Sequence, residues 1–266
     1  MAPNPKTALV TGASEGIGLE ICRVLAARGY ELILVSRRAE RLQAVAAELA
    51  ERHGVRCHVV AADLARVGAA QALMAEVDQR GLRVDFLANN AGLLFNGDFL
   101  DTDLAAQEAL LQVNVVAPTA LAHLAAARMA TQGGGYILNV ASLAAWMALP
   151  GEAIYAASKA YVLSLSQALA DETAAAGRGV VVSALCPSYT DTKMLDNPAQ
   201  GKKLRIPRFL ILSPAEVARQ GVEACLSGRA TCVPGLSNRL TAYLVQLFPR
   251  MWVTRLMGAV YRRAMV

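Results

Sequence analysis

At 266 residues the chain can bury roughly 70–75% of its unfolded surface, so it needs neither a disulfide framework nor a structural metal to fold. Its five cysteines, Cys22, Cys57, Cys186, Cys225 and Cys232, are odd in number and lack Cys-x-x-Cys spacing, which fits small reduced core residues in a cytoplasmic protein. The net charge of +5 is concentrated at the C-terminus, where Arg229, Arg239, Arg250, Arg255, Arg262 and Arg263 follow the last acidic residue, Glu223; no aromatic stacking platform or recognition motif accompanies them, which argues against nucleic acid.

Met1–Lys6 has no apolar signal-peptide core, and no uninterrupted apolar run is expected to reach bilayer-spanning length. Thr7–Thr11 reads as a buried strand, followed by Gly12-Ala-Ser-Glu-Gly16-Ile17-Gly18 and an amphipathic helix to about Arg28. Glu31–Ser36 is a second strand, Arg38–Arg52 a helix and Val55–Ala61 a third strand ending at Asp63. A helix over Arg66–Arg80 and a strand over Val84–Ala88 lead to Asn89-Asn90-Ala91-Gly92. A long helical region from Asp103 to Ala130 is expected to break or bend near Pro118. Tyr136–Ala141 is the fifth strand with Ser142 at its end, Ala153–Ala176 a helix carrying Tyr155 and Lys159, and Val180–Leu185 the sixth strand. Pro214–Leu226 is a helix capped by Ser213, and Thr231–Val233 a seventh strand. Continuous apolar strands alternating with helices predict an α/β fold: a single-domain, Rossmann-type, doubly wound parallel sheet of about seven strands with helices on both faces. That domain is expected over 1–235, with a basic, amphipathic helical extension over 236–266.

Strand, Gly12-x-x-x-Gly16-x-Gly18 and helix form a setting in which backbone N–H groups and a helix N-terminus receive a pyrophosphate. The second strand ends in Ser36-Arg37-Arg38 without the carboxylate that would hold a ribose 2′-hydroxyl. Arg37 is available to a 2′-phosphate instead, which points to NADP(H). Tyr155 and Lys159, four apart on a helix, share one face. An ammonium one turn away is expected to lower the phenol's pKa toward the working range. Ser142, thirteen residues earlier, lies at the sheet edge where such folds bind ligands. Asn114 sits in mid-helix, against its propensity, either as a structural residue or to hold a water.

In order and spacing, Thr11-Gly12-Ala-Ser-Glu-Gly16-Ile17-Gly18, Asp63-Leu64, Asn89-Asn90-Ala91-Gly92, Asn114, Ser142, Tyr155-x-x-x-Lys159 and Pro187 with Thr192 and Met194 resemble the short-chain dehydrogenase/reductase family over about residues 6–233. The resemblance implies hydride transfer without a metal. It casts Tyr155 as proton donor or acceptor, Lys159 as holder of the nicotinamide ribose, Ser142 as a hydrogen-bonding partner of the substrate oxygen and Asn114 as organiser of a water leading to Lys159. It places Gly12, Ser14, Glu15, Gly16, Ile17, Gly18, Ser36, Arg37, Arg38, Asp63, Leu64, Asn90, Ala91, Gly92, Pro187, Thr190 and Thr192 with Tyr155 and Lys159 around the cofactor. His53, His58 and His123 then need no catalytic role. A homodimer or homotetramer is the family expectation. Ser188 replaces the usual glycine after Pro187, and Glu15 stands where many NADP-preferring members carry a basic residue, leaving the phosphate mainly to Arg37, with Ser14 and Arg38 as helpers.

The expectation is therefore an NADP(H)-dependent interconversion of a ketone and a secondary alcohol on a lipophilic small molecule. The basic cluster Lys202-Lys203-Leu-Arg205-Ile-Pro-Arg208 beside Phe209–Leu212 keeps open a 3-oxoacyl-thioester reductase, with an acyl carrier or coenzyme A as the anionic handle. A non-catalytic NADP-binding sensor or scaffold is the rival of another class. The helices expected over Leu236–Phe248 and Met251–Met265 carry only arginine as charge. They suit peripheral membrane contact, a subunit partner or a cover for the substrate pocket.

Overall fold

The computed structural model describes residues 5–194 and 208–264. Seven strands build one sheet in the order β3-β2-β1-β4-β5-β6-β7: β1 (Thr7–Thr11), β2 (Glu31–Ser36), β3 (Cys57–Ala61), β4 (Phe86–Asn89), β5 (Gly135–Val140), β6 (Val180–Leu185) and β7 (Thr231–Cys232). Every neighbouring pair is parallel. Successive side chains of a strand face opposite sides, so Ala8 and Val10 enter one apolar core while Leu9 enters the other. The first core is closed by α1 (Gly16–Ala26), α2 (Ala39–His53) and α7 (Pro214–Leu226). The second is closed by α3 (Ala69–Gln79), by α5 (Ala117–Thr131) with Val113 ahead of it, and by α6 (Ala153–Ala175), while α4 (Leu104–Leu111) packs against α6. Covering both faces is what makes the strands read as continuous apolar runs.

The order of strands reverses between β1 and β4, the crevice in which doubly wound sheets bind ligands. A buried polar chain pins the neighbouring layer: the Asn89 amide donates to Asn139 Oδ1 at 2.9 Å and to the Pro118 carbonyl at 3.1 Å, and Asn139 donates to Ser166 Oγ at 2.9 Å.

The expected break near Pro118 falls just upstream. Gln112–Val116 form a π turn, with the Ala117 N–H donating to the Gln112 carbonyl, and Pro118 stands in the first turn of α5. Proline cannot supply the N–H that the carbonyl four residues back takes in an α-helix, and wider i→i+5 bonding accommodates that loss. The helical stretch Leu104–Thr131 is, by length and composition alone, long and apolar enough to cross a membrane, although Gln107, Glu108, Gln112, Asn114 and His123 interrupt its apolar residues. Its inner side, including Leu121, Ala125 and Met129, is buried on the sheet. α3 starts at Ala69 rather than Arg66 because Asp63 first turns the chain, accepting from the Ala65 N–H through its carboxylate, and Gly68 follows at φ +78°. Ser213 holds the N-cap position of α7 but makes no side-chain capping bond.

The C-terminal segment forms α8 (Leu236–Leu247) and α9 (Arg250–Ala264). α8 packs on the short 3₁₀ turn Leu143–Trp146 that follows Ser142. α9 docks through Tyr261, whose hydroxyl donates to the Gly151 carbonyl at 3.0 Å. A Cβ on Gly151, which also has φ +89°, would lie 1.8 Å from the Tyr261 ring, so only glycine fits. The outward sides of these helices expose Leu236, Leu240, Tyr243, Leu247, Trp252 and Leu256.

Candidate active site

The chain builds the site at the C-terminal edge of the sheet. β1 runs into Gly12 (φ +69°) and Gly16 (φ +58°), and α1 starts at Gly16. A Cβ on Gly12 would stand 2.7 Å from Asn90 Nδ2, and one on Gly18 only 2.2 Å from the Gly12 carbonyl oxygen. The glycines therefore let α1, the loop and Asn90 close on one another. Asn90 ties them, its amide donating to the Thr11 carbonyl at 2.9 Å while Thr11 Oγ1 accepts from the Asn90 and Ala91 N–H groups.

This loop opens on a cavity of about 840 Å³ that also contains Ser142, Tyr155 and Lys159. Of the residues assigned from the sequence to catalysis or cofactor binding, all but Gly18 and Asn114 line it. Gly18 is buried against the loop. Asn114 lies behind the wall: its amide donates to the Leu93 carbonyl at 2.9 Å and to Ser158 Oγ at 3.1 Å, and its Oδ1 accepts from the Leu93 N–H at 2.8 Å. Its side chain thus joins the segment after β4 to α6. A Cβ on Gly92 would be 3.5 Å from Asn114 Oδ1 and 3.6 Å from Lys159 Nζ, so both atoms converge on that glycine.

At the far end, Arg37 is exposed on the cavity wall. The Glu15 carboxylate is flanked by Arg38 at 3.2 Å and by Arg41 and Lys193 at 3.8 Å. Arg41 and Lys193 were not singled out from the sequence. With Arg37, four cations stand there against Glu15 and Asp63, a positive balance that suits an anion. Ser36 Oγ is buried and, among the described residues, has no hydrogen-bond partner, a polar atom of the kind a bound ligand satisfies. The glycine cradle, the helix N-terminus, this orphan hydroxyl and the cation cluster fit a nicotinamide dinucleotide.

At the other end, Ser142 Oγ accepts from the Ala144 N–H at 3.1 Å and donates to the Pro187 carbonyl at 3.4 Å. Burial raises the Tyr155 phenol above its usual range, and the adjacent Ser142 hydroxyl pulls it back. Lys159 is 5% exposed; its ammonium donates to the Val140 carbonyl at 2.8 Å and lies 5.7 Å from the centroid of the Tyr155 ring. Burial lowers this lysine to about 8, with Cys186 opposing. The expected depression of the phenol by Lys159 is therefore not what governs the pair. Desolvation dominates both groups and moves them apart, making the phenol less acidic and the ammonium more acidic than in water.

Sequence reasoning missed the substrate-side wall: Glu152, Tyr189, and from the tail Asn238, Thr241, Val245 and Met257. Glu152 shares a helical face with Tyr155, a signal that was available in the sequence. Ser188 lines the cavity beside Thr190, which donates to the Ser188 carbonyl at 3.0 Å and forms an isolated bridge with Leu212. The Lys202–Arg205 cluster lies outside the described residues. The five cysteines are free thiols, and His53, His58 and His123 are part-buried or exposed.

The profile of the short chain dehydrogenase family matches residues 6–203. A 7beta-hydroxysteroid dehydrogenase of Collinsella aerofaciens is 32% identical over 231 residues, spanning 87% of this chain and 86% of its own. A short-chain dehydrogenase from Sphingobium yanoikuyae in complex with NADPH superposes with a TM-score of 0.80 at 32% identity, covering 91% of this chain and 93% of that one. A short-chain dehydrogenase/reductase from Burkholderia phymatum in complex with NAD gives 0.80 at 26% identity, with the same 91% and 93% coverage. A phenol, a hydroxyl and a buried amine thus share a cavity with a glycine-built phosphate cradle, in a chain that matches these oxidoreductases over most of its length; the protein belongs to the short-chain dehydrogenase/reductase family.

Proposed function

We propose that the protein is an NADP(H)-dependent oxidoreductase that interconverts a ketone and a secondary alcohol on a lipophilic small molecule. The observation that carries this reading is the meeting of Ser142, Tyr155 and Lys159 in a cavity continuous with the glycine loop. When bound, the nicotinamide cofactor supplies or accepts the hydride. Tyr155 and Ser142 hold the substrate oxygen, and the phenol hands it a proton in reduction or takes one in oxidation. Lys159, whose burial lowers it to about 8, holds the nicotinamide ribose and returns the proton to the phenol. Asn114 fixes α6 against Leu93 and offers its remaining Oδ1 lone pair on the Lys159 side.

The NADP(H) preference rests on Arg37 and the cations around Glu15, and the NADPH-bound relative supports it. A lipophilic substrate is supported by the apolar wall of Leu94, Val113, Met147, Leu149, Val245 and Met257. The test is turnover of a panel of cyclic and aromatic ketones with NADPH and with NADH. Tyr155→Phe should cut kcat by about 10²–10⁴-fold while NADPH binding persists. A wild type that binds NADPH tightly yet turns over no carbonyl compound would favour the sensor reading.

The outer face of the tail supports a second proposal, peripheral contact with an anionic membrane. Leu236 is 82%, Leu247 77% and Trp252 65% exposed. Arginines are the only charges on α8 and α9, the complement of an acidic lipid surface. Sedimentation with vesicles of phosphatidylglycerol and phosphatidylcholine tests it on the full chain. Leu247→Asp with Trp252→Asp should abolish co-sedimentation; if the double variant instead only separates a dimer, the face is a subunit interface.

A further inference from the structure

The first residue of the α6 boundary brings a carboxyl into the cavity that proton and hydride transfer leave unused. Glu152 is 7% exposed and shares the cavity wall with Tyr155. Its backbone carbonyl starts the helix by accepting from the Ala156 N–H at 2.8 Å, but its side chain makes no capping bond. Among the described residues, no hydrogen bond or cation offsets its burial, and desolvation alone moves it up to about 7. The ionisable groups that face it are the phenols of Tyr155 in α6, Tyr189 after β6 and Tyr261 in α9. The Tyr261 hydroxyl is already committed to the Gly151 carbonyl. A buried carboxyl without a partner is costly, and the nearby lining of Met147, Leu149 and Met257 gives it none. What remains is the ligand.

We propose that Glu152 determines specificity by accepting a hydrogen bond from a hydroxyl group of the substrate, a second oxygen placed on the side of the cavity where the N-cap of α6 lies ahead of Tyr155. This inference rests on the cavity being the carbonyl site and narrows its substrate class to lipophilic hydroxy-ketones, or the matching diols in oxidation. A hydroxyl suits the place better than an ammonium, because Lys159 already occupies the same cavity with a positive charge. A site built to hydrogen-bond a hydroxyl rejects the analogue that lacks it far more strongly than a purely apolar pocket sorts by size.

The probes are 1-decalone and its 3- and 4-hydroxy derivatives, each as separate epimers, with 4-amino-1-decalone as the cationic control. Binding to the full-length protein is measured by calorimetry, and reduction is followed through NADPH absorbance. The wild type should favour one hydroxylated isomer over 1-decalone by at least about 10–100-fold in Kd and in kcat/KM, the worth of one hydrogen bond to a charged group. Glu152→Met, which conserves volume, should bring that ratio close to one. Glu152→Gln, which keeps an acceptor oxygen, should retain most of it. A wild-type ratio near one for every isomer, a ratio unchanged in Glu152→Met, or tighter binding of the amine than of any hydroxyl compound would overturn the assignment. If the binding preference holds and depends on Glu152 while neither ketone is reduced, the carbonyl-reductase reading fails and the hydroxyl subsite stands.

Discussion

The two ends of the cavity are built on opposite plans. The dinucleotide end is made by close approach. Gly12, Gly18 and Asn90 leave no room for one more carbon, and the Thr11–Asn90 hydrogen bonds hold the loop to the strand after the turn. The substrate end is assembled from remote pieces: the start of α6, the segment after β6, and two helices near the C-terminus. One end fixes a shape shared by many ligands, whereas the other holds an uncompensated carboxyl and an apolar wall. Binding common to all substrates belongs to the first, and discrimination among substrates to the second.

The sharpest break between the two ends should come from adding one methyl group to each. Gly18→Ala drives a carbon into the Gly12 carbonyl oxygen and Asn90, overpacking that costs about 1–3 kcal/mol or more. It should abolish NADPH binding measured by fluorescence titration. Gly151→Ala meets the Tyr261 ring and a left-handed backbone; it should raise KM for the ketone while leaving the Kd for NADPH within a factor of about two. Equal loss of cofactor affinity in both variants would erase the distinction.

Glu152→Gln reads the cost of the substrate end through pH. The folded protein raises this carboxyl from 4.5 to about 7, so it binds the proton more tightly than the unfolded chain does. The native state therefore loses stability as pH rises from 4.5 to 7, and the full loss, about 3 kcal/mol, is present above that window. Glu152→Gln should unfold at higher urea than wild type at pH 8 and at nearly the same urea near pH 4. Parallel midpoints across that range would mean the carboxyl is already satisfied in the folded state.

Arg37→Ala tests the dinucleotide end by charge. Removing a charge-assisted hydrogen bond costs about 1.5–3 kcal/mol, so kcat/KM with NADPH should fall by roughly 10–100-fold while that with NADH holds. A parallel fall with both cofactors would place Arg37 outside phosphate recognition. The smallest expected effect is on stability: Leu247→Asp and Trp252→Asp touch only exposed positions, so their unfolding free energies in urea should stay within about 0.5 kcal/mol of wild type while vesicle binding is lost.

The dinucleotide end was legible in the sequence because its constraints are local. A glycine with positive φ, or one against a carbonyl, leaves a spacing that survives in one dimension, and seven apolar runs fixed a sheet covered on both faces. Asn114 and Pro118 were visible, but not the π turn that reconciles them, since that depends on which backbone bonds the helix chooses. The tail's periodicity was readable while its orientation was not. An amphipathic helix says that it has two sides, and here Ala242 and Tyr261 face inward while Leu247 and Trp252 face out. Lys159 was read as the group that tunes Tyr155, an inference from spacing alone. Spacing carries no information about desolvation, which in the folded site moves both groups more than their mutual field does.

The contact between Tyr261 and Gly151 joins residues 110 apart in the chain. Synthesis at ~5–20 residues per second separates their emergence by roughly 5–20 s. During that interval a nascent chain has its glycine loop and both sides of the β1–β4 crevice, yet no tail to close the substrate side. A chain truncated before Leu236, which lacks the wall residues Asn238, Thr241, Val245 and Met257, is thus expected to retain a cofactor while the substrate side of its cavity stands open to water.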